Sequence, residues 1–388
     1  MNKNPLTVLT VFGTRPEVIK LFPVLDELRR NAQFKSIVIS TSQHREMIDD
    51  LFILFSIKPD HDLNIIRKNQ SLGDISARSL SRLCPYLRKY SPDLVLVQGD
   101  TTSAFAGALA AFYHKIPVGH VEAGLRSFNN RHPFPEEINR KLISTVSTLH
   151  FSPTQRNAEN LYKEGIHPTK VYVTGNTSID SLQWITRRKK SSFRNYVSKD
   201  ILNSHRLILV TAHRRENWGK PLKDLCYALK DLVRLHPDIQ VVYPVHLNPK
   251  VRETVFSILP EEERIHLLNP LPYKPFVELM AKAHFIITDS GGIQEEGVSL
   301  RKPILVFREV TERQEAVLNG SVKVVGRKRE NLVREASKLL NGQQAYQKMI
   351  AGYCPFGDGY AARRIIEAIL HHFKRGRRPQ DFMYPSFL

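Results

Sequence analysis

Short runs of apolar and β-branched residues alternate with helix-patterned stretches along almost the whole chain, and a series of right-handed βαβ crossovers is what leaves that record. In the first half the runs predict strands at Leu6–Phe12, Ser36–Thr41, Leu94–Gln98, Val118–Val121, His150–Ser152 and Val171–Thr174. The stretch Arg187–Ser198 breaks the rhythm with basic and serine residues and reads as a linker. A second series then predicts strands at Leu207–Thr211, Gln240–Pro244, Ile265–Leu268, Phe285–Thr288, Pro303–Val306 and Lys323–Val325. The 388 residues exceed what one core usually organises. We therefore expect an α/β protein of two Rossmann-like domains with parallel sheets. Residues 1–183 form the amino-terminal domain and 200–360 the second. Residues 361–388, a last helix and a basic tail, pack back on the first, with the tail reading as mobile.

In such sheets ligands bind beyond the carboxyl ends of the strands, so the residues that follow each predicted strand carry the functional reading. The first strand runs into FGTRPEVIK, where Gly13 permits a tight turn and Thr14 with Glu17 forms a T-x-x-E capping box. Arg15 beside that helix start suits an anion, although the same letters also describe an ordinary strand-to-helix turn. The run LVLVQ delivers Asp100 to the sheet edge, where it, Thr101 or Ser103 can each cap the next helix. In VGHVEAGLRSFNNRHPFPEEINR, Glu122 ends a buried-looking strand and Arg126 follows it, while Glu136 and Arg140 have the spacing of a plain i,i+4 pair. Asp100, Glu122 and Glu136 thus fall on one side of the sheet. Clustered carboxylates raise one another's pKa and make a proton donor at neutral pH.

In the second half, His213, Arg214 and Arg215 come straight after a strand, and His246 follows the next, a pattern that favours an anionic ligand. The sharpest local signal is FIITDSGGIQEE. Ser290, Gly291 and Gly292 let backbone N–H groups approach phosphate oxygens at a helix start, and Glu296 one turn in suits two ribose hydroxyls. Arg313 is a candidate for the same phosphates.

Taken together and in order, FGTRPE, QHREM, GDTTS, GHVEAGLR, PEEINR, TGNTSID, HRREN, PVHLNP and DSGGIQEE resemble the non-hydrolysing bacterial UDP-N-acetylglucosamine 2-epimerases, from about Thr7 to about Glu367. The resemblance implies the GT-B architecture with an interdomain active-site cleft, a homodimer, and no cofactor or metal. It implies reversible epimerisation at C2 of UDP-N-acetylglucosamine to UDP-N-acetylmannosamine, by elimination of UDP and re-addition through 2-acetamidoglucal, in the biosynthesis of cell-surface polysaccharide. Matching positions make Asp100, Glu122, Glu136 and His213 catalytic, and place Arg15, Lys20, His213, Phe276, Ser290, Gly291, Gly292, Glu296 and Arg313 on the UDP-sugar. Gln43, Gln70, Arg214 and His246 match a second, activating UDP-N-acetylglucosamine site of some relatives, and Asn69 stands where some of those carry a basic residue. The alternatives are a hydrolysing 2-epimerase that releases free N-acetylmannosamine, an epimerase of a diacetamido-uronate UDP-sugar, and a GT-B glycosyltransferase. The last would share the Ser290–Glu296 nucleotide site without requiring three carboxylates in the first domain.

Composition removes other classes. The net charge of +19 raises nucleic acid as a partner, but the basic clusters at Arg187–Lys190, Arg327–Arg329 and Lys374–Arg378 are small, scattered and free of interleaved aromatics, so none is expected. The surplus would instead steer a doubly charged nucleotide sugar. No run reaches membrane length, and Cys84, Cys226 and Cys354 have no zinc or redox spacing. Reduced thiols and the missing leader pattern place the expected location in the cytoplasm.

Overall fold

The computed structural model describes residues 4–42, 48–67, 70–131, 133–188, 196–198, 201, 206–260 and 262–384. The chain divides into two compact units, Met1–Ser181 with Phe356–Met383, and Leu182–Pro355. Each is a parallel sheet with helices between successive strands, so the α/β fold with two Rossmann-like units follows the alternation in the sequence.

The first unit has seven strands: β1 (Leu6–Phe12), β2 (Phe34–Ser40), β3 (His61–Asp62), β4 (Leu94–Gln98), β5 (Val118–Val121), β6 (Leu149–Ser152) and β7 (Val171–Val173). Their order is β3-β2-β1-β4-β5-β6-β7, every neighbouring pair parallel. All five residues of β4 are buried, as a central strand covered on both faces requires. The second unit holds β8 (Arg206–Thr211), β9 (Ile239–Pro244), β10 (Ile265–Leu268), β11 (Phe285–Thr288), β12 (Ile304–Val306) and β13 (Val322–Val324), ordered β10-β9-β8-β11-β12-β13 and again parallel. The chain order reverses direction between β1 and β4 in one unit and between β8 and β11 in the other. Two neighbouring strands there send their connections to opposite faces and leave a crevice at their carboxyl ends.

Two features depart from the sequence reading. The strand β3 went unread because its residues, His61 and Asp62, carry no apolar run. The basic tail, expected to be mobile, is held against β7: Phe382 N–H donates to Val173 O at 2.7 Å, Val173 N–H to Asp381 Oδ1 at 3.0 Å, and Arg378 to Val171 O at 2.7 Å. β7 is an edge strand, and its main-chain groups need partners that composition alone does not reveal. The helix Ala361–His372 is fastened to the same unit by Asp180, whose Oδ1 accepts from Ala362 N–H at 2.9 Å.

Asp180 Oδ2 is buried without a hydrogen-bond partner among the described residues, and burial pushes the carboxyl up to about 7 from an ordinary 3.8. A carboxyl raised on folding stabilises the fold only while it stays protonated. Its contribution is complete below the unfolded value and is lost as pH climbs through the folded one. Asp180→Asn, which keeps the acceptor and cannot ionise, should therefore gain stability relative to the parent between about pH 4 and about pH 7, by at most roughly 1.4 kcal/mol per pH unit. Urea unfolding across that range checks this, and a constant gap between the two proteins would contradict it.

Candidate active site

In the first unit the crevice between β1 and β4 is built around Glu17. Thr14 is the N-cap residue of the helix Arg15–Arg30, and Glu17 Oε2 turns back to accept from Gly13 N–H at 2.9 Å and Thr14 N–H at 2.8 Å. Its Oε1 accepts from the Thr101 hydroxyl at 2.7 Å, across the crevice. Thr101 also caps the helix Thr102–Tyr113 by accepting from Ala104 N–H at 3.0 Å, so Thr101 does the capping for which Asp100 was an alternative. Burial pushes Glu17 up to about 7 against the pull of these hydrogen bonds.

Asp100 is left to face outward with Arg140, whose Nε and other terminal nitrogen reach Oδ2 at 2.8 and 2.7 Å. Its carbonyl oxygen accepts from Asn139 Nδ2 at 2.9 Å, and His120 Nε2 lies 2.7 Å from Gly99 O just before it. Desolvation pushes His120 down to about 4, so the ring is neutral, and its Nε2–H donates to that carbonyl.

Glu122 follows β5, the neighbour of β4, in the left-handed region with φ 66°. A non-glycine residue held there costs of order 1 kcal/mol, and it recurs where function constrains the chain. Lys20 Nζ reaches both its oxygens, at 2.6 and 2.7 Å; Asn176 Nδ2 donates at 3.2 Å and Gln98 Nε2 more closely. Lys20, which the motif match places on the nucleotide side, therefore rests on a carboxylate, and Arg15 opens the same helix. Arg126, which follows Glu122 in sequence, pairs with Glu164 at 2.7 Å.

Glu136 opens the helix Glu136–Val146, partly buried, and one turn further along that helix Asn139 and Arg140 reach Asp100. Its neighbour Glu137 is buried and accepts from Ser127 and Phe128 N–H at 2.9 and 3.2 Å, which ties down the preceding loop. The first unit thus brings Asp100 and Glu122 to adjacent strand ends and links the helix of Glu136 to Asp100.

The second unit repeats the plan between β8 and β11. Asp289, wholly buried, accepts from His213 N–H at 3.0 Å, Arg214 N–H at 2.9 Å and Asn217 Nδ2 at 2.9 Å. The His213 ring stacks on that of His246 beyond β9, centroids 5.3 Å apart and planes 16° from parallel. Ser290 stands at the N-cap position of the helix Gly291–Ser299 without a side-chain capping bond among the described residues. A Cβ on Gly291 would lie 2.8 Å from Cζ of Arg313, whereas one on Gly292 would meet no atom of the described residues within 4 Å. The first glycine admits the guanidinium and the second leaves the helix start open to a ligand.

Arg313 is aimed by Glu295, which accepts from Nε at 2.9 Å, and Thr311 donates to Gln294 Oε1 at 2.7 Å. Glu296 Oε1 accepts from the Tyr273 hydroxyl at 2.8 Å, and partly buried Phe276 lies one turn along the helix Tyr273–Lys282. Glu312 gathers Arg308 at 2.9 Å, Arg313 at 3.7 Å and Arg214 at 3.9 Å. Burial opposes its ionisation, but these guanidinium groups outweigh it and hold the carboxyl well below the usual range.

Of the residues matched to an activating site, Gln70 lies in the first unit and accepts from Arg67 N–H at 3.0 Å, Arg214 and His246 lie in the second, and Gln43 and Asn69 fall outside the described residues. The sequence reading passed over Glu17 as an acid in its own right, Asp289 and Glu312. Asp289 carries the signal used for Asp100, an acid directly after an apolar strand, while the partners of Glu17 and Glu312 are set by tertiary packing.

A family model described as UDP-N-acetylglucosamine 2-epimerase matches residues 26–370. The UDP-N-acetylglucosamine 2-epimerase of Bacillus subtilis (strain 168) is 47% identical over 378 residues, covering 97% of this chain and 98% of that one. Its counterpart from Escherichia coli (strain K12) is 48% identical over 371 residues, covering 94% and 98%. Among solved structures, the Neisseria meningitidis UDP-GlcNAc 2-epimerase bound to UDP-GlcNAc superposes with a TM-score of 0.88 at 46% identity over 94% of this chain and 100% of that one. The Staphylococcus aureus MnaA-UDP structure gives 0.91 at 43% identity over 97% and 100%. With the family model matched over most of its length and relatives alike from end to end, the chain belongs to the UDP-N-acetylglucosamine 2-epimerase family of isomerases.

Proposed function

We propose that the protein interconverts UDP-N-acetylglucosamine and UDP-N-acetylmannosamine without hydrolysis, through 2-acetamidoglucal. The observation that carries this reading is the pair of acids at adjacent strand ends, Asp100 and Glu122, each set against its own cation. A glycosyltransferase has no need of that pair. The Neisseria relative bound to UDP-GlcNAc supports the substrate.

A carboxylate removes the C2 proton, the electron pair forms the C1–C2 double bond, and the C1–O bond breaks toward UDP, giving 2-acetamidoglucal and UDP. In the return step a proton reaches C2 from the opposite face and a UDP oxygen bonds to C1, so atoms balance and no redox partner is needed. Asp100 and one of Glu122 and Glu136 are the base and the acid. Ser290, the Gly291 and Gly292 N–H groups and the positive helix start hold the diphosphate, and Arg15, Lys20, His213 and Arg313 meet the charge that grows as UDP departs. Glu296 takes the ribose hydroxyls and Phe276 lies on the nucleotide side. The family resemblance further supports a homodimer, activation by a second substrate molecule at Gln43, Gln70, Arg214 and His246, and a role in polysaccharide biosynthesis. Three free thiols support a reducing, cytoplasmic location, and no helix of the described residues is long and apolar enough to cross a membrane.

Incubation with UDP-N-acetylglucosamine in D2O, followed by NMR, tests the reaction. Deuterium should enter C2 of both UDP-linked epimers. Free N-acetylmannosamine would make the protein a hydrolase, and an untouched C2 hydrogen would remove epimerisation altogether. The nucleotide side is tested by Gly291→Ala, whose methyl displaces the Arg313 guanidinium from its seat on Glu295. UDP affinity measured by calorimetry should fall about tenfold or more, a loss of about 1.4 kcal/mol, and an unchanged affinity would take Arg313 out of the site.

A further inference from the structure

Asp100 is anchored on one flank by Arg140 at its carboxylate and Asn139 at its carbonyl oxygen, with His120 holding the Gly99 carbonyl just before it. On its other flank the next residue, Thr101, donates a hydrogen bond from its hydroxyl to Glu17, which is 1% exposed and 84 positions away in sequence. The same carboxyl gathers the Gly13 and Thr14 amides, so one side chain spans the crevice between the turn after β1 and the turn after β4. Glu17 also sits on the helix that presents Arg15 and Lys20, and Lys20 continues to Glu122. A chain of contacts therefore runs from Asp100 through Thr101 and Glu17 to the helix of Lys20 and on to Glu122.

We propose that Glu17 is a positioning residue for the epimerisation: by bridging Thr101 to the Gly13 and Thr14 amides it fixes Asp100 relative to the Lys20–Glu122 pair. This rests on the function proposed above. Glu17 touches no reacting atom in this account. Its effect is exerted through where it holds Asp100, and a displacement of about 1 Å in such a group costs up to about a hundredfold in rate.

Glutamine has the shape to replace the bridge, its carbonyl accepting from the two amides and its NH2 donating to Thr101 Oγ1. Alanine has neither group. Wild-type C2 exchange is measured first, and its absence would overturn the function rather than the role of Glu17. With exchange present, Glu17→Ala should lose about 30-fold or more in kcat with KM changed by less than about threefold, and Glu17→Gln should recover kcat to within about fivefold of wild type. Circular dichroism and thermal unfolding establish that each variant is folded. A folded Glu17→Ala with near wild-type kcat, a Gln variant as slow as the Ala variant, or a loss confined to KM would each overturn the proposal. If Glu17→Ala does not fold, Thr101→Val cuts the same bridge from the other side, and kcat within about threefold of wild type there would overturn it too.

Discussion

A buried carboxylate that collects two consecutive backbone N–H groups is the contact on which each unit's site depends. Glu17 holds Gly13 and Thr14 after β1, and Asp289 holds His213 and Arg214 after β8. In both units the gripped turn borders the point where strand order reverses, the place where a doubly wound sheet offers a crevice. A turn leaving a buried strand has main-chain donors that the ladder no longer satisfies, and an internal carboxyl group meets that need while fixing the loop's path. Removing such an acceptor leaves buried N–H donors unpaired, at a typical cost of about 1–3 kcal/mol each. The functional side chains are thus carried on loops whose backbones are not free to wander.

The remaining charges follow from the same economy. Three carboxylates of the first unit's site are set against cations: Lys20 covers Glu122, Arg140 covers Asp100, and Arg140 reaches Glu137 as well. These pairs keep the acids in place and hold cations within reach of any charge that develops nearby, which suits a reaction whose leaving group departs as an anion. In the second unit three arginines converge on Glu312, and Glu295 sets Arg313 beside the open start of the Gly291–Ser299 helix. One unit carries acids paired with cations and the other a cluster of arginines beside an open helix start, a division that fits the proposed elimination of a nucleoside diphosphate.

Much of this was legible in the letters. Uniform apolar runs such as LVLVQ have a single reading in an alternating chain, and the glycines after FIITDS mark a helix start that a ligand can approach. What escaped has physical reasons. The two residues of β3 are too few for a period, and they join the sheet because Ile39 and Ser40 of β2 offer an edge. The tail after residue 373 is basic and looks solvated, yet Asp381 and Phe382 complete the ladder of β7. Arg126, four residues after Glu122, pairs with the distant Glu164, while Lys20 on the first helix covers Glu122. Long-range partners of buried charges are decided by packing, and local spacing does not encode them.

In the proposed function the acids of the first unit perform the chemistry while the second unit holds the nucleotide. Asp100→Asn separates these roles, because the amide keeps the shape and the neighbours but cannot serve as a proton carrier. With turnover followed by NMR and UDP binding by calorimetry, the account predicts that turnover falls about a thousandfold, while UDP affinity stays within about threefold. A loss of UDP affinity that matches the loss of turnover would contradict it and make Asp100 a binding residue.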